Sequence, residues 1–227
     1  MKAFHFFSVI MLLYLCSCSG TTDSNESFPQ DVTNFMLAGN PGTELVMKET
    51  YSQTDTTGKE SGAQIITSLW TVMERDVLHP IGGKSVAIRT ESREANSSTV
   101  RIDSLYLSLH DNLLMRFMSM KDTTMIPFLK NPVIVGTQFM MGNAKATVKS
   151  VGEIVNTTYK PLKAVLVEAV DTVVSTSSQI KFVFTHRFYL APEVFIARYE
   201  EIRLKIYPDN RTSKETIIGD LVQYSKK

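Results

Sequence analysis

Residues 180–190 read Ile-Lys-Phe-Val-Phe-Thr-His-Arg-Phe-Tyr-Leu, and the fold class rests on how this stretch is read. Its even positions are Ile180, Phe182, Phe184, His186, Phe188 and Leu190, with Lys181, Thr185 and Arg187 between them. A period of two puts alternate side chains on opposite faces of an extended chain, so the stretch predicts a strand with one dry and one wet face. Faces of that kind belong to antiparallel sheets, since a parallel sheet is covered on both sides and reads as a continuous apolar run.

The same period recurs outward from this strand. Ile202, Leu204 and Ile206 alternate with Arg203 and Lys205, and Val148, Val165 and Val167 continue the pattern upstream. Earlier still come Val86-Ala87-Ile88, then Val100, Ile102, Leu105, Leu107 and Leu109. Leu113, Met115 and Phe117 follow His110-Asp111-Asn112, which predicts a hairpin. Leu69–Met73, with Trp70 and Val72, is almost continuously apolar and predicts a strand buried on both faces. Turn residues separate these runs at Thr57-Gly58, Gly82-Gly83, Met141-Gly142-Asn143, Pro208-Asp209-Asn210 and Gly219-Asp220.

After Leu37 no segment keeps a helical period over three turns. Phe28–Leu37 leaves two options open, a short helix with Pro29 in its first turn or an irregular lead-in. The expected fold is mainly β, a single curved antiparallel sheet or half-barrel of about ten or more strands with few or no helices.

The N-terminal segment has a different character. Lys2 precedes an apolar run from Phe6 to Leu15, which is shorter than the roughly 20 residues of a spanning helix and suits a cleaved signal peptide. Leu15-Cys16-Ser17-Cys18 resembles the bacterial lipoprotein cleavage site, with a branched apolar residue, two small residues and a cysteine. That resemblance implies loss of residues 1–17 and acylation of Cys18, with palmitate a candidate chain. Cys16 is a poor acceptor because bulky Leu15 would stand directly before it. Several acyl chains anchor a protein much more firmly than one. Ser19, rather than Asp, follows the cysteine, which resembles the pattern permitting transfer to an outer membrane. The expected location is therefore the cell envelope, lipid-anchored at the outer membrane and facing the periplasm or cell surface. Ser19–Ser27 is small and polar and reads as a tether reaching at most about 30 Å. The expected organisation is a signal peptide over 1–17, an acylated cysteine and tether over 18–27, and a β domain over 28–227.

Composition narrows the function classes. The formal net charge is +1, and removing residues 1–17 takes away only Lys2, leaving 0. A near-neutral chain has no basic field with which to hold nucleic acid. With Cys16 removed and Cys18 acylated, neither of the 2 cysteines remains for a disulfide, so the fold must rest on its core.

Pro29-x-x-Val32-x-x-Phe35-Met36 is echoed by Pro132-x-x-Val135-x-x-x-Phe139-Met140. Two readings stay open, a pair of similar meanders over 28–130 and 131–227, or coincidence, and no boundary is placed on the echo.

The C-terminal part resembles a bacterial family of exported β-sheet proteins of unknown function. Asn131-Pro132-Val133-Ile134-Val135-Gly136-Thr137-Gln138-Phe139 is similar to that family's proline, glycine, aromatic opening. Val151-Gly152-Glu153-Ile154-Val155 and Tyr159-Lys160 through Val167-Glu168 are similar to its valine-rich strand pair. Phe188-Tyr189-Leu190-Ala191-Pro192-Glu193-Val194-Phe195 and Leu221-Val222-Gln223-Tyr224 resemble its last two strand motifs. Glu193 and Phe195 stand where the pattern has glycines, which implies a different turn geometry here. The resemblance implies a curved sheet, similar to the half-barrels of lipoprotein carriers, and no particular activity.

Candidate chemistry is sparse. Gly82-Gly83-Lys84-Ser85 lacks the first glycine of a phosphate loop, since Leu78 occupies that position. His79 and His110 are expected in surface loops, and no His or Cys pair has ligand spacing. His186, on the Phe184–Phe188 face, reads first as a hydrogen-bonded core residue. No serine has a nucleophile-elbow context, so no catalytic residue, metal or cofactor is expected.

Met115, Met118, Met120, Met125, Met140 and Met141 crowd one part of the chain, which has 11 methionines. Core filling is their first reading and a groove for an apolar ligand the second; copper(I) on Met115, Met118 and Met120 ranks below both. The candidate apolar-ligand contacts are Met115, Met118, Met120, Met140, Met141, Phe184, His186 and Phe188. The expected function is a non-enzymatic envelope lipoprotein that binds a lipid or other apolar ligand. The alternative is a structural or partner-docking subunit of an envelope complex.

Overall fold

The computed structural model describes residues 27–81 and 83–227; the signal segment, Cys18 and the tether up to Glu26 lie outside the described residues. A 3-10 turn at Val32–Phe35 precedes β1 (Glu44–Thr54), β2 (Gln64–His79), β3 (Gly83–Glu94), β4 (Val100–His110), β5 (Leu113–Phe117) and β6 (Ile126–Lys130). The second run comprises β7 (Gln138–Met141), β8 (Ala144–Asn156), β9 (Pro161–Val174), β10 (Lys181–Ala191), β11 (Phe195–Ile206) and β12 (Thr212–Ser225). The expected mainly antiparallel β fold is what the structure shows. All the strands join one 12-stranded sheet in the order β6-β5-β4-β3-β2-β1-β12-β11-β10-β9-β8-β7, curved into a nearly closed barrel.

Every neighbouring pair in that order is consecutive in the chain except β1 and β12. The consecutive pairs follow from local turn chemistry. Between β4 and β5, Asp111 and Asn112 take φ values of 48° and 64°, the left-handed pair that a tight two-residue hairpin requires. β10 has the predicted alternation, with Phe188 and Leu190 buried on the inner face and Arg187 on the outer face pairing Glu168 and Glu200 of the flanking strands.

One end of the barrel is plugged by the segment leading into β1. Asp31 Oδ1 accepts from the Thr33 N–H at 2.8 Å and caps the 3-10 turn, while Val32, Phe35 and Leu37 are buried in the main core. The plug is stitched to several strand ends. Val133 N–H donates to Gln30 O at 2.8 Å, Ala38 N–H to Glu193 O at 2.6 Å, and Arg75 donates to the carbonyls of Leu37 and Gly39. Of the echoed valines, Val32 is buried whereas Val135 is exposed, so the two occupy different surroundings.

Five expectations are corrected. Gly219-Asp220 is not a turn but lies within β12, where the missing side chain of Gly219 makes room for the Tyr199 ring. Ile202, Leu204 and Ile206 are not the inner face of β11, since Glu201 and Arg203 pair with the inward His186 and Phe184 while Ile202 and Leu204 pair with Thr185 and Val183. Leu69–Met73 is not buried on both faces: it is the middle of β2, with Val72 inside and Met73 50% exposed outside. His79 is not a surface loop residue. Register shifts between Val72 and Glu74 and between Glu74 and Val77 re-aim the end of β2, so that His79 is 3% exposed and stacks on Phe117 at 3.8 Å. Finally, the turn at Glu193 and Phe195 keeps the backbone that glycine favours, with φ values of 68° and 67°.

That last correction carries a stability consequence. A side chain in the left-handed region costs about 1 kcal/mol or more, and Glu193 is exposed with only a surface ion pair to Lys226 at 3.3 Å. Glu193→Gly is therefore expected to raise unfolding stability by up to about 1 kcal/mol, after the added chain entropy of glycine is offset. A urea midpoint that falls on substitution would contradict this account of the turn.

Candidate functional site

The sheet fails to close between β6 and β7. These strands have 5 and 4 residues, against 14 in β9 and in β12, so the wall here is roughly 15 Å tall where those longer strands reach roughly 45 Å. Side chains on the inner face of β10 are consequently reached from the seam. A cleft of about 310 Å³ opens there, lined by Arg116 of β5, Ile126 and Phe128 of β6, Met141 to Ala144 at the β7–β8 turn, Asp171 of β9, Phe184, His186 and Phe188 of β10, and Glu201 of β11. A smaller hollow of about 160 Å³ shares Phe184, His186 and Glu201 and continues to Tyr51, Arg203, Glu215 and Ile217.

The walls are aromatic. Phe128 meets Phe188 edge-on at 4.9 Å and 71° and Phe195 at 5.4 Å, a geometry that suits ring quadrupoles. The His186 ring lies parallel to that of Phe188 at 6.3 Å, with its Nδ1 3.8 Å from Glu201 Oε1. In the smaller hollow, the Arg203 guanidinium lies 5.3 Å over Phe184, and Glu215 accepts from Arg203 at 3.2 Å and Lys205 at 2.9 Å.

Arg116 sits deepest among the charged groups. Its register partner is Leu107, a core residue, so it points inward, and its guanidinium lies 5.2 Å over the Phe128 ring. Burial pushes it below its ordinary value, with the negative charge of Glu201 acting the other way, yet an arginine stays protonated. Nearby, Tyr199 is held over Gly219, where a Cβ would clash with its ring. Burial, then the adjoining Glu49 carboxylate, raise the Tyr199 phenol well above its ordinary value.

Met141, Phe184, His186 and Phe188 are thus brought together in the cleft, His186 half-buried rather than enclosed in the core. The other methionines are not. Met140 is 54% exposed, because adjacent strand residues face opposite ways and Phe139 and Met141 take the inside. Met118 and Met120 lie on the loop after β5, with Met118 45% exposed. Met115 is buried, but with Phe117 it lies outside the main core, on the opposite face of β5 from Arg116. Cys18 lies outside the described residues.

Arg116, Ile126, Phe128 and Glu201 were not anticipated. Apolar residues occupy both faces of β5, so its period of two has two solutions, and the sequence pattern favours the one that turns Arg116 outward. His79, Tyr106 and Phe117 form the second buried cluster that decides the matter. Two chemical facts complete the site. No residue lining either hollow is Ser, Thr or Cys, and among the described residues no three His, Cys, Asp or Glu side chains converge as metal ligands.

No protein-family model matches the chain, and no curated protein matches its sequence. Solved structures do. A protein of Bacteroides fragilis assigned as exported, with a YmcC-like fold, is 14% identical, with a TM-score of 0.50 over 84% of this chain and 99% of its own. A protein of Parabacteroides distasonis assigned as a lipoprotein is 13% identical, with a TM-score of 0.48 over 87% of this chain and 97% of its own. At this identity the first likeness is one of fold.

Two ion-paired carboxylates, Glu215 in the smaller hollow and Glu168 on the outer face of the sheet, give stability an acid dependence. Hydrogen bonding from Lys205, opposed by burial and joined by Arg203, holds Glu215 below its ordinary value of 4.5. In Glu168, burial works against hydrogen bonds from Arg187 and Lys149, and the bonds prevail. Such a group stabilises the fold fully above the ordinary value, and the contribution is lost as pH falls through the lower folded value. Glu215→Gln should therefore lower the urea midpoint near neutrality and flatten its decline on acidification, without abolishing it because Glu168 remains. An acid decline as steep as that of the parent would contradict this assignment.

Proposed function

We propose that this chain is a bacterial lipoprotein of the cell envelope that binds a lipid or other apolar ligand at the β6–β7 seam without transforming it. One observation carries the reading: Ile126, Met141 and Phe184 are left half-buried around a cleft floored by the buried rings of Phe128 and Phe188, so that an apolar surface is open to a ligand. A volume of about 310 Å³, extended by the adjoining hollow, suits a small amphiphile. The lining offers a His186–Glu201 pair but no serine, threonine or cysteine beside it, which supports a binding rather than an enzymatic role.

The Leu15-Cys16-Ser17-Cys18 motif supports the envelope location, as do the exported and lipoprotein assignments of the two similar structures. Acylation at Cys18 would hold Phe28, at the plugged end, within about 30 Å of the membrane. The seam would then stand to the side of the anchored barrel, open to the surrounding space.

Two measurements test this. Cells grown with labelled palmitate should incorporate label into the parent chain and none into Cys18→Ser; continued labelling of the variant would overturn the anchor. The mature chain carrying Cys18→Ser should bind the neutral apolar dye N-phenyl-1-naphthylamine, with an affinity that falls about tenfold in Phe184→Asp, where a charge enters the apolar wall. No binding by the parent, or none of the expected loss in the variant, would remove the cleft from consideration.

A further inference from the structure

Arg116 is the anomaly among the inward and half-buried arginines. Arg75 donates to the carbonyls of Leu37 and Gly39, Arg187 pairs with Glu168, Arg198 with Glu200 and Arg203 with Glu215. Arg116 has no such partner. Among the described residues its buried Nε meets no hydrogen-bond acceptor and its guanidinium makes no ion pair. A buried donor left without an acceptor is costly, about the worth of a hydrogen bond or more, and more when it belongs to a charged group. The Phe128 ring at 5.2 Å and the field of Glu201 reduce that cost, but neither supplies the missing acceptor at Nε.

We infer that the cleft binds an amphiphile with a single carboxylate head, which Arg116 holds through its guanidinium while the alkyl chain lies along Phe128, Phe184 and Phe188. This rests on the proposed reading of the cleft as an apolar-ligand site and names the ligand class. A carboxylate matches the planar fork of a guanidinium and accepts charge-assisted hydrogen bonds, which are worth more where water is excluded. The remaining charges set the number of acid groups. Asp171 and Glu201 also line the cleft, so a second negative charge on the ligand would meet like charge. A monoacid fits the single cation at the base, whereas a diacid or a multiply charged head does not.

The test uses the mature chain carrying Cys18→Ser, with N-phenyl-1-naphthylamine as the bound probe and displacement by dodecanoate, dodecanol and dodecanedioate. In the parent, dodecanoate should displace the probe at a concentration about tenfold or more below that of dodecanol, and dodecanedioate should be the poorer acid. In Arg116→Met, dodecanoate and dodecanol should become equivalent while the probe still binds; Arg116→Lys, which keeps the charge and loses the fork, should fall between. Without ligand, Arg116→Met should unfold at a urea midpoint no lower than the parent's, since it removes an unpaired charge rather than a structural bond. Equal displacement by acid and alcohol in the parent, or a preference for the acid that survives in Arg116→Met, would overturn the head-group assignment alone. Failure of the probe and of all three displacers to bind would overturn both this inference and the apolar-ligand reading beneath it.

Discussion

The ladder between β1 and β12 is the one strand pairing that this chain cannot form locally. All the others join neighbours in sequence across a turn or short loop, whereas Glu44 meets Ser225 and Thr54 meets Lys214 across nearly the whole length of the folded chain. Closing a loop of that length costs entropy before any contact returns it. The return comes from Leu45 and Met47 on β1 and Leu221 on β12, all buried, and from two runs of strands that would otherwise each present a bare edge. The plug reinforces the same junction, since the Tyr224 hydroxyl donates to Ala38 O at 3.3 Å and Lys227 N–H to Thr43 Oγ1 at 3.0 Å.

Joining the sheet through its first and last strands moves its opening to the middle of the chain. β6 and β7 end the strand order, although only residues 131–137 separate them in sequence, and both are short. The consequence for function is direct. Inner side chains of β10 that a closed wall would cover are reached at the seam, and the cation on β5 faces them across the interior. The barrel is therefore packed near its plug, around Phe35, Leu37, Phe195 and Leu190, and hollow near the seam. A stable core and an accessible apolar cleft coexist because they occupy different heights of the same strands.

Much of the fold was legible because one face of several strands is dry and the other wet. In β10 the alternation names the inner residues without further information, and Asp111-Asn112 announces its hairpin through the only backbone conformation that fits. In β11 it misleads, because Glu201 and Arg203 share the inner face with His186 and Phe184 while Ile202 and Leu204 pair with Thr185 and Val183 outside. Legibility fails where both faces are covered. The bulges in β2 turn His79 from an apparent loop into a buried ring, and its stacking on Phe117 gives β5 a second apolar face. The methionines illustrate the same limit: their crowding in sequence is visible, but Met140 and Met141 part company as soon as the strand assigns them to opposite faces.

By itself the sequence determined that the chain forms antiparallel strands, where most of its turns fall, and that a lipoprotein-like motif precedes the domain. These are local properties, settled by side-chain size, period and turn chemistry within a few residues. Only the tertiary structure decided that β12 returns to β1, that the seam falls between β6 and β7, and that Arg116 faces inward with no acceptor for its Nε among the described residues. The reason is physical: alternation says that two faces exist, but register and strand order, fixed by packing between distant segments, say which of them becomes the inside.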